Sequence, residues 1–154
     1  MKTWSEMVRD AQSRIDEVFP WDLDDRLQAG EDMLIVDIRE PYEYARAHIE
    51  GSLNVPRGIL ESACEWDYED TVPELVQARD RPVVLACRSG QRSAVAALVL
   101  RELGFERVTS LKTGLRGWSD YELPLVNGAG AGLDQDSADE NFTSVVRADQ
   151  MRPR

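Results

Sequence analysis

The stretch Pro82-Val83-Val84-Leu85-Ala86-Cys87-Arg88-Ser89-Gly90-Gln91-Arg92-Ser93 decides how this chain folds. Residues 82–86 form a short apolar run rich in β-branched side chains, as in a strand buried on both faces of a parallel sheet. Ala94 through Leu100 is unbroken apolar sequence, and Gly104 supplies a stop, so Ser93 to Leu103 reads as a helix. Cys87 therefore falls at the C-terminal end of a buried strand, where α/β sheets place their ligands. The small, glycine-containing loop after it lets backbone N–H groups turn inward as a nest for an anion. The following helix points its N-terminal dipole at the same place. Arg88 and Arg92 add two permanent positive charges. These surroundings favour thiolate over thiol, so Cys87 reads as a nucleophile that needs no histidine base. Arg88, Ser89, Gly90, Gln91, Arg92 and Ser93 are the candidate substrate-binding residues. Taken alone, a strand-end cysteine would read as a small core residue; its neighbours argue otherwise.

Working outward, Met33-Leu34-Ile35-Val36 is another buried strand, ended by Asp37, and Val108 to Leu111 a third. Glu40 to Glu50 reads as a short helix with Pro41 near its start. Gly51 to Pro56 reads as a turn with a brief strand, and Ile59 to Arg79 as one helix with an acidic middle. Leu115 to Tyr121 reads as a last short helix. Strands alternating with helices define an α/β domain with a mostly parallel sheet. Trp4, Met7, Val8, Ala11, Ile15 and Val18 recur at helical spacing, which predicts an amphipathic N-terminal helix broken by Pro20. The organisation expected is an N-terminal helical extension over 1–17, the α/β domain over 18–126, and an acidic flexible tail over 127–154. That stretch, a mobile tail or a partner-docking arm, is rich in Gly, Ala, Asp and Ser, with only Leu133, Phe142, Val145 and Val146 to anchor it.

The 154 residues suit one domain, and 42% apolar with 31% charged residues is ordinary globular composition. A net charge of −11 opposes binding to nucleic acid or to an anionic membrane. Cys64 and Cys87 are too few for a disulfide framework, and His48 is the only histidine, so no metal site is expected. The N-terminus lacks the apolar core of a signal peptide, and no run approaches the ~20 apolar residues of a membrane span. A reducing cytoplasm is the expected compartment, and it suits a free thiol.

The loop Cys87 to Ser93 resembles the active-site loop of rhodanese-type sulfurtransferases. Asp37-Ile38-Arg39-Glu40-Pro41-Tyr42-Glu43-Tyr44, with His48-Ile49-Glu50-Gly51-Ser52-Leu53-Asn54-Val55-Pro56, resembles that family's upstream signature. Leu111-Lys112-Thr113-Gly114-Leu115-Arg116-Gly117-Trp118 is similar to its C-terminal signature. Thr113 and Ala47 depart from the pattern, standing where glycine is common. The resemblance implies a three-layer α/β/α domain and ping-pong sulfur transfer through a Cys87 persulfide, without metal or organic cofactor. The implied partners are a small anionic sulfur donor and a protein sulfur donor or acceptor.

Two rival readings come from other classes. Cysteine-dependent phosphatases and arsenate reductases use a related nest and arginine, but their loops are longer than the four residues between Cys87 and Arg92. A carrier or binding module would keep the fold and turn over poorly with small thiols. Asp37 and Arg39 read as an ion pair that fixes loops, His48 as a structural hydrogen-bonding residue, and Trp118 as core. Trp4, Trp21 and Trp66 read as packing residues. Cys64 lies in an acidic stretch that would make it a poor nucleophile, although a role in resolving the Cys87 persulfide is the alternative.

Overall fold

The computed structural model describes residues 1–154. In chain order the elements are α1 (Trp4–Gln12), β1 (Asp16–Val18), α2 (Pro20–Gln28), β2 (Leu34–Asp37), α3 (Pro41–Arg46), β3 (Leu53–Asn54), α4 (Leu60–Ala63) and α5 (Pro73–Val76). They continue with β4 (Val83–Ala86), α6 (Gln91–Glu102), β5 (Val108–Leu111), α7 (Gly114–Asp120) and α8 (Gln135–Glu140). Five strands form one parallel sheet in the order β1-β5-β4-β2-β3.

Alternation along the strands distributes the core between two faces. Leu34, Val36, Val83, Leu85 and Cys87 face one side, against Leu60, Leu75 and the Ala96, Ala97, Leu100 stripe of α6. Ile35, Val84 and Ala86 face the other, against Leu23 of α2 and Leu115 and Trp118 of α7. The result is the expected three-layer α/β/α domain with β4 at its centre. Each fully buried leucine in these layers contributes about 1.5–3 kcal/mol of apolar burial. The chain leaves β2 toward one edge of the sheet and β4 toward the other. The loops after these two strands therefore part above the gap between them, the switch point at which open α/β sheets bind ligands.

Several expectations are corrected. The N-terminal helix ends at Gln12, so Ile15 and Val18 are not on its stripe; residues 16–18 pair with β5 as an edge strand. The residue before a proline is held extended, as Phe19 is at ψ 152°, and Pro20 starts α2. Residues 59–79 are not one helix. A left-handed Asp67 and Pro73 divide them into α4, which follows a 3-10 turn at Arg57–Ile59, and α5. The helix begun at Pro41 stops at Arg46, because Ala47 is extended.

The stretch expected as a flexible tail from residue 127 is docked through Phe142. Ala138 and Phe142 are buried against the α7 face, with Leu133 packed beside them. Gln135 donates to the Ser119 carbonyl at 2.7 Å, and the Ser119 hydroxyl donates to Asp139 at 2.8 Å. Val145 and Val146 are 80% and 62% exposed, so they anchor nothing. Composition hid this because a few apolar residues at helical spacing suffice to seat a short amphipathic segment.

Asp37 and Arg39 form the ion pair read from the sequence, and both are buried. Arg39 donates to Asp37 through Nε at 2.9 Å and Nη2 at 2.7 Å, and Nη2 also reaches the Ala47 carbonyl at 2.6 Å. Asn54 donates to the carbonyls of Asp37 and Arg39, both at 3.0 Å. His48 bonds the Tyr44 carbonyl at 2.7 Å and stacks on the Tyr44 ring, while the Trp118 indole donates to the Pro124 carbonyl. Breaking a buried pair strands a charge, so Arg39→Ala should cost about 3–5 kcal/mol in urea unfolding. Asp37→Leu/Arg39→Met together should recover much of that loss.

Candidate active site

β4 delivers Cys87 to the C-terminal rim of the sheet, where its side chain is fully buried. Gly90, at φ +84°, turns the chain into α6, so helix 6 begins at Gln91, two residues before the expected start. This turn aims two backbone N–H groups at the sulfur: Gly90 N lies 3.2 Å and Ser93 N 3.4 Å from Sγ. The Ser93 hydroxyl lies 3.3 Å from Sγ and 2.8 Å from the hydroxyl of Ser110 on β5. A hydroxyl can rotate to accept from a thiol or donate to a thiolate, so this buried pair serves either state.

The loop is clamped from behind. The first N–H groups of α7 donate to it, Leu115 to the Cys87 carbonyl and Arg116 to the Arg88 carbonyl, both at 2.9 Å. Gly114, at φ +63°, makes this possible, since a Cβ there would lie 2.5 Å from the Arg88 carbonyl carbon. Thr113, where glycine would be easier, holds a left-handed φ of +67°.

The structure brings Cys87, Gly90 and Ser93 together and sends the other candidates elsewhere. Arg92 forks onto Glu43 of α3, with both N–O distances at 3.2 Å. Burial alone would push the Glu43 carboxyl up. The hydrogen bonds from Arg92 and the Glu40 backbone, with the charges of Arg92 and Arg39, bring it below the usual carboxylate range instead. Burial also works against the Arg92 charge, but Glu43 raises its pKa on balance, helped by the charges of Cys87 and Asp37. Arg88 donates to the Phe142 carbonyl at 2.9 Å. Ser89 is exposed, and Gln91 accepts from the Trp4 indole at 3.1 Å.

Glu43 and Ser110 were not among the residues singled out from sequence, and Phe142 was singled out only as an anchor for the C-terminal stretch. Glu43 stood inside the quoted upstream signature, which was its only signal. A cavity of about 330 Å³ opens between α3 and residues 141–145, with Arg39, Glu43, Arg46, Arg88 and Thr143 in its walls. Trp21 stacks on Phe19 at 4.6 Å, as a packing residue would. No group of His, Cys, Asp and Glu could hold a metal ion, and no helix is long and apolar enough to cross a membrane.

Comparison with known proteins identifies the family. The Rhodanese-like domain family matches residues 20–121. A sulfurtransferase of Allochromatium vinosum is 35% identical over 112 residues, 73% of this chain and 95% of that protein. The thiosulfate sulfurtransferase GlpE of Glaesserella parasuis is 32% identical over 100 residues, 64% of this chain and 82% of that one. A structure from Rhodopseudomonas palustris, described as a protein of unknown function and possible tyrosine phosphatase, superposes with a TM-score of 0.74 at 29% identity. It covers 81% of this chain and 95% of its own. The chain belongs to the rhodanese-like domain family.

Two outcomes follow from the site. Gly114→Ala forces the α7 turn away from the loop and should destabilise the protein by about 1–3 kcal/mol, read as a lower urea midpoint. Cys64 is fully buried, and that burial, more than its acidic neighbours Glu65 and Glu61, pushes its thiol up to about 11. Iodoacetamide at neutral pH should therefore leave Cys64 of the native protein unlabelled. Cys64 should react once the chain is unfolded.

Proposed function

We propose that this protein is a sulfurtransferase that carries sulfane sulfur on Cys87 as a persulfide. The observation that carries the reading is the pair of N–H groups, from Gly90 and Ser93, aimed at Sγ of a cysteine at the switch point of the sheet. The Cys87 thiolate attacks the outer sulfur of thiosulfate or of another persulfide donor. A new S–S bond forms as the old one breaks, and sulfite, or the donor thiolate, leaves with the electron pair. An acceptor (cyanide, a thiol or a protein thiolate) then attacks the terminal sulfur and restores the Cys87 thiolate. Both half-reactions transfer a neutral sulfur atom, so neither a cofactor nor an external oxidant is required. Loop N–H groups that hold the thiolate also suit the anionic persulfide.

The description attached to the Rhodopseudomonas palustris structure favours phosphate-ester hydrolysis as a second reading. Two features weigh against it. The loop leaves only four residues between Cys87 and Arg92, and Glu43, the carboxyl paired with the loop's Arg92, is held ionised by it and so has no proton to give a leaving group.

Intact-mass spectrometry tests the proposal. Thiosulfate should add one sulfur, about 32 Da, as a persulfide that cyanide removes and that Cys87→Ser never forms. No adduct on folded protein, together with turnover of a phosphate ester, would replace this reading with the second. The ion pair makes its own prediction for thiosulfate kinetics. Arg92→Ala leaves an unpaired carboxylate at the mouth and should raise KM several-fold, whereas Glu43→Gln should lower it.

A further inference from the structure

We propose that the polar cavity between α3 and the C-terminal segment is a second anion site, one that binds a small oxyanion of the sulfate or phosphate type through Arg46 and Arg88. Cys87 is no part of its lining, so the site stands apart from the reactive sulfur. It does not depend on the sulfurtransferase reading.

Charge singles the cavity out. Its wall carries three arginines, Arg39, Arg46 and Arg88, against one carboxylate, Glu43. Two of these four charges are matched by partners outside the wall: Arg39 pairs with Asp37, and Glu43 with Arg92. Setting those pairs aside leaves Arg46 and Arg88, and neither makes an ion pair. Arg46, at the rim, lies over the Tyr42 ring at 5.5 Å. Arg88 donates to the Phe142 carbonyl at 2.9 Å. That bond takes up one of the five N–H donors of a guanidinium and none of its charge. Two uncompensated cations therefore face one hollow in a chain whose net charge is −11.

The two arginines come from different elements and are held where they converge. Arg46 is the last residue of α3, and Arg88 belongs to the loop between β4 and α6. The Tyr42 ring and the Phe142 carbonyl restrain side chains that would otherwise sample many rotamers, so less ordering is left for an anion to impose. A planar guanidinium offers paired N–H groups that match the oxygens of sulfate or phosphate. The rest of the lining suits such a guest, since all but two of its nine residues are polar or charged. A volume of about 330 Å³ is at the low end of small-molecule sites, about 300 to 1,000 Å³, and holds one oxyanion with its waters.

Isothermal titration calorimetry at constant ionic strength tests this on the full-length Cys87→Ser chain, with sodium sulfate, phosphate and thiosulfate as probes. Without Cys87 no persulfide forms, so the heat reports binding alone. Saturable binding is expected, and Arg46→Gln and Arg88→Gln should each weaken it about tenfold, as loss of a charge-assisted contact does. Arg9→Gln, an exposed cation on α1, should leave it unchanged. Arg46 decides the location because it lies outside the active-site loop: an anion held only by loop N–H groups would ignore Arg46→Gln. That result would overturn the proposal, and so would the absence of saturable binding by all three anions. If Arg88→Gln unseats the C-terminal segment and the chain unfolds, Arg46→Gln carries the test by itself. Tighter binding of thiosulfate would support a site for sulfur oxyanions, and tighter binding of phosphate a site for phosphate groups. Arginine-dependent sulfate binding in a protein that transfers no sulfur to any acceptor would defeat the sulfurtransferase reading and leave the anion site standing.

Discussion

Two backbone hydrogen bonds from the start of α7, to the carbonyls of Cys87 and Arg88, hold the reactive loop in shape. Once those carbonyls are drawn backward, the alternate face of the loop must turn its N–H groups forward, toward Sγ. The requirement spreads through the neighbouring backbone. Gly114 has to lack a side chain, and Gly90 does too, because a Cβ on it would approach Thr113 N at 3.0 Å and Leu111 O at 3.1 Å. β5 carries this turn, and its own Ser110 places a hydroxyl behind Ser93. The nucleophile is thus positioned by the strand beside it and the helix after that strand, as much as by its own loop.

Charge is arranged differently from what the loop's two arginines suggest. Neither guanidinium stands free over the sulfur: Arg92 is matched by Glu43, and Arg88 is occupied by a peptide carbonyl. Within a chain of net charge −11, the attraction felt by an anion at the site comes mainly from backbone dipoles at short range. Such dipoles act only on a group already in contact, so discrimination falls to shape and to hydrogen-bond direction.

The sequence was most legible where structure is local. Strand, loop and helix from Val83 to Glu102 follow one another in the chain, and apolar periodicity with glycine placement defined them. The pair Asp37–Arg39, two residues apart, was legible for the same reason. Partners distant in sequence were not: Glu43 meets Arg92 across 49 residues, and Phe142 meets Arg88 across 54. Short elements also escaped. The stripe from Trp4 to Val18 kept helical spacing through a real helix and a three-residue strand, because one valine can serve either period. The C-terminal segment was obscured by its acidic composition, although Ala138 and Phe142 lie four residues apart, on one side of a helical turn.

The rims of the sheet have a colloidal consequence. β1, at one edge, is three residues long and begins with two acids, Asp16 and Glu17; β3, at the other, spans only two residues. An open edge presents unpaired N–H and C=O groups to any other extended chain, and long, flat, apolar edges are the usual seeds of aggregation. Here each edge is too short to template a neighbour, and one repels it by charge. Crowded solutions of this protein should therefore remain dispersed even though β4, at the centre of the sheet, is apolar throughout.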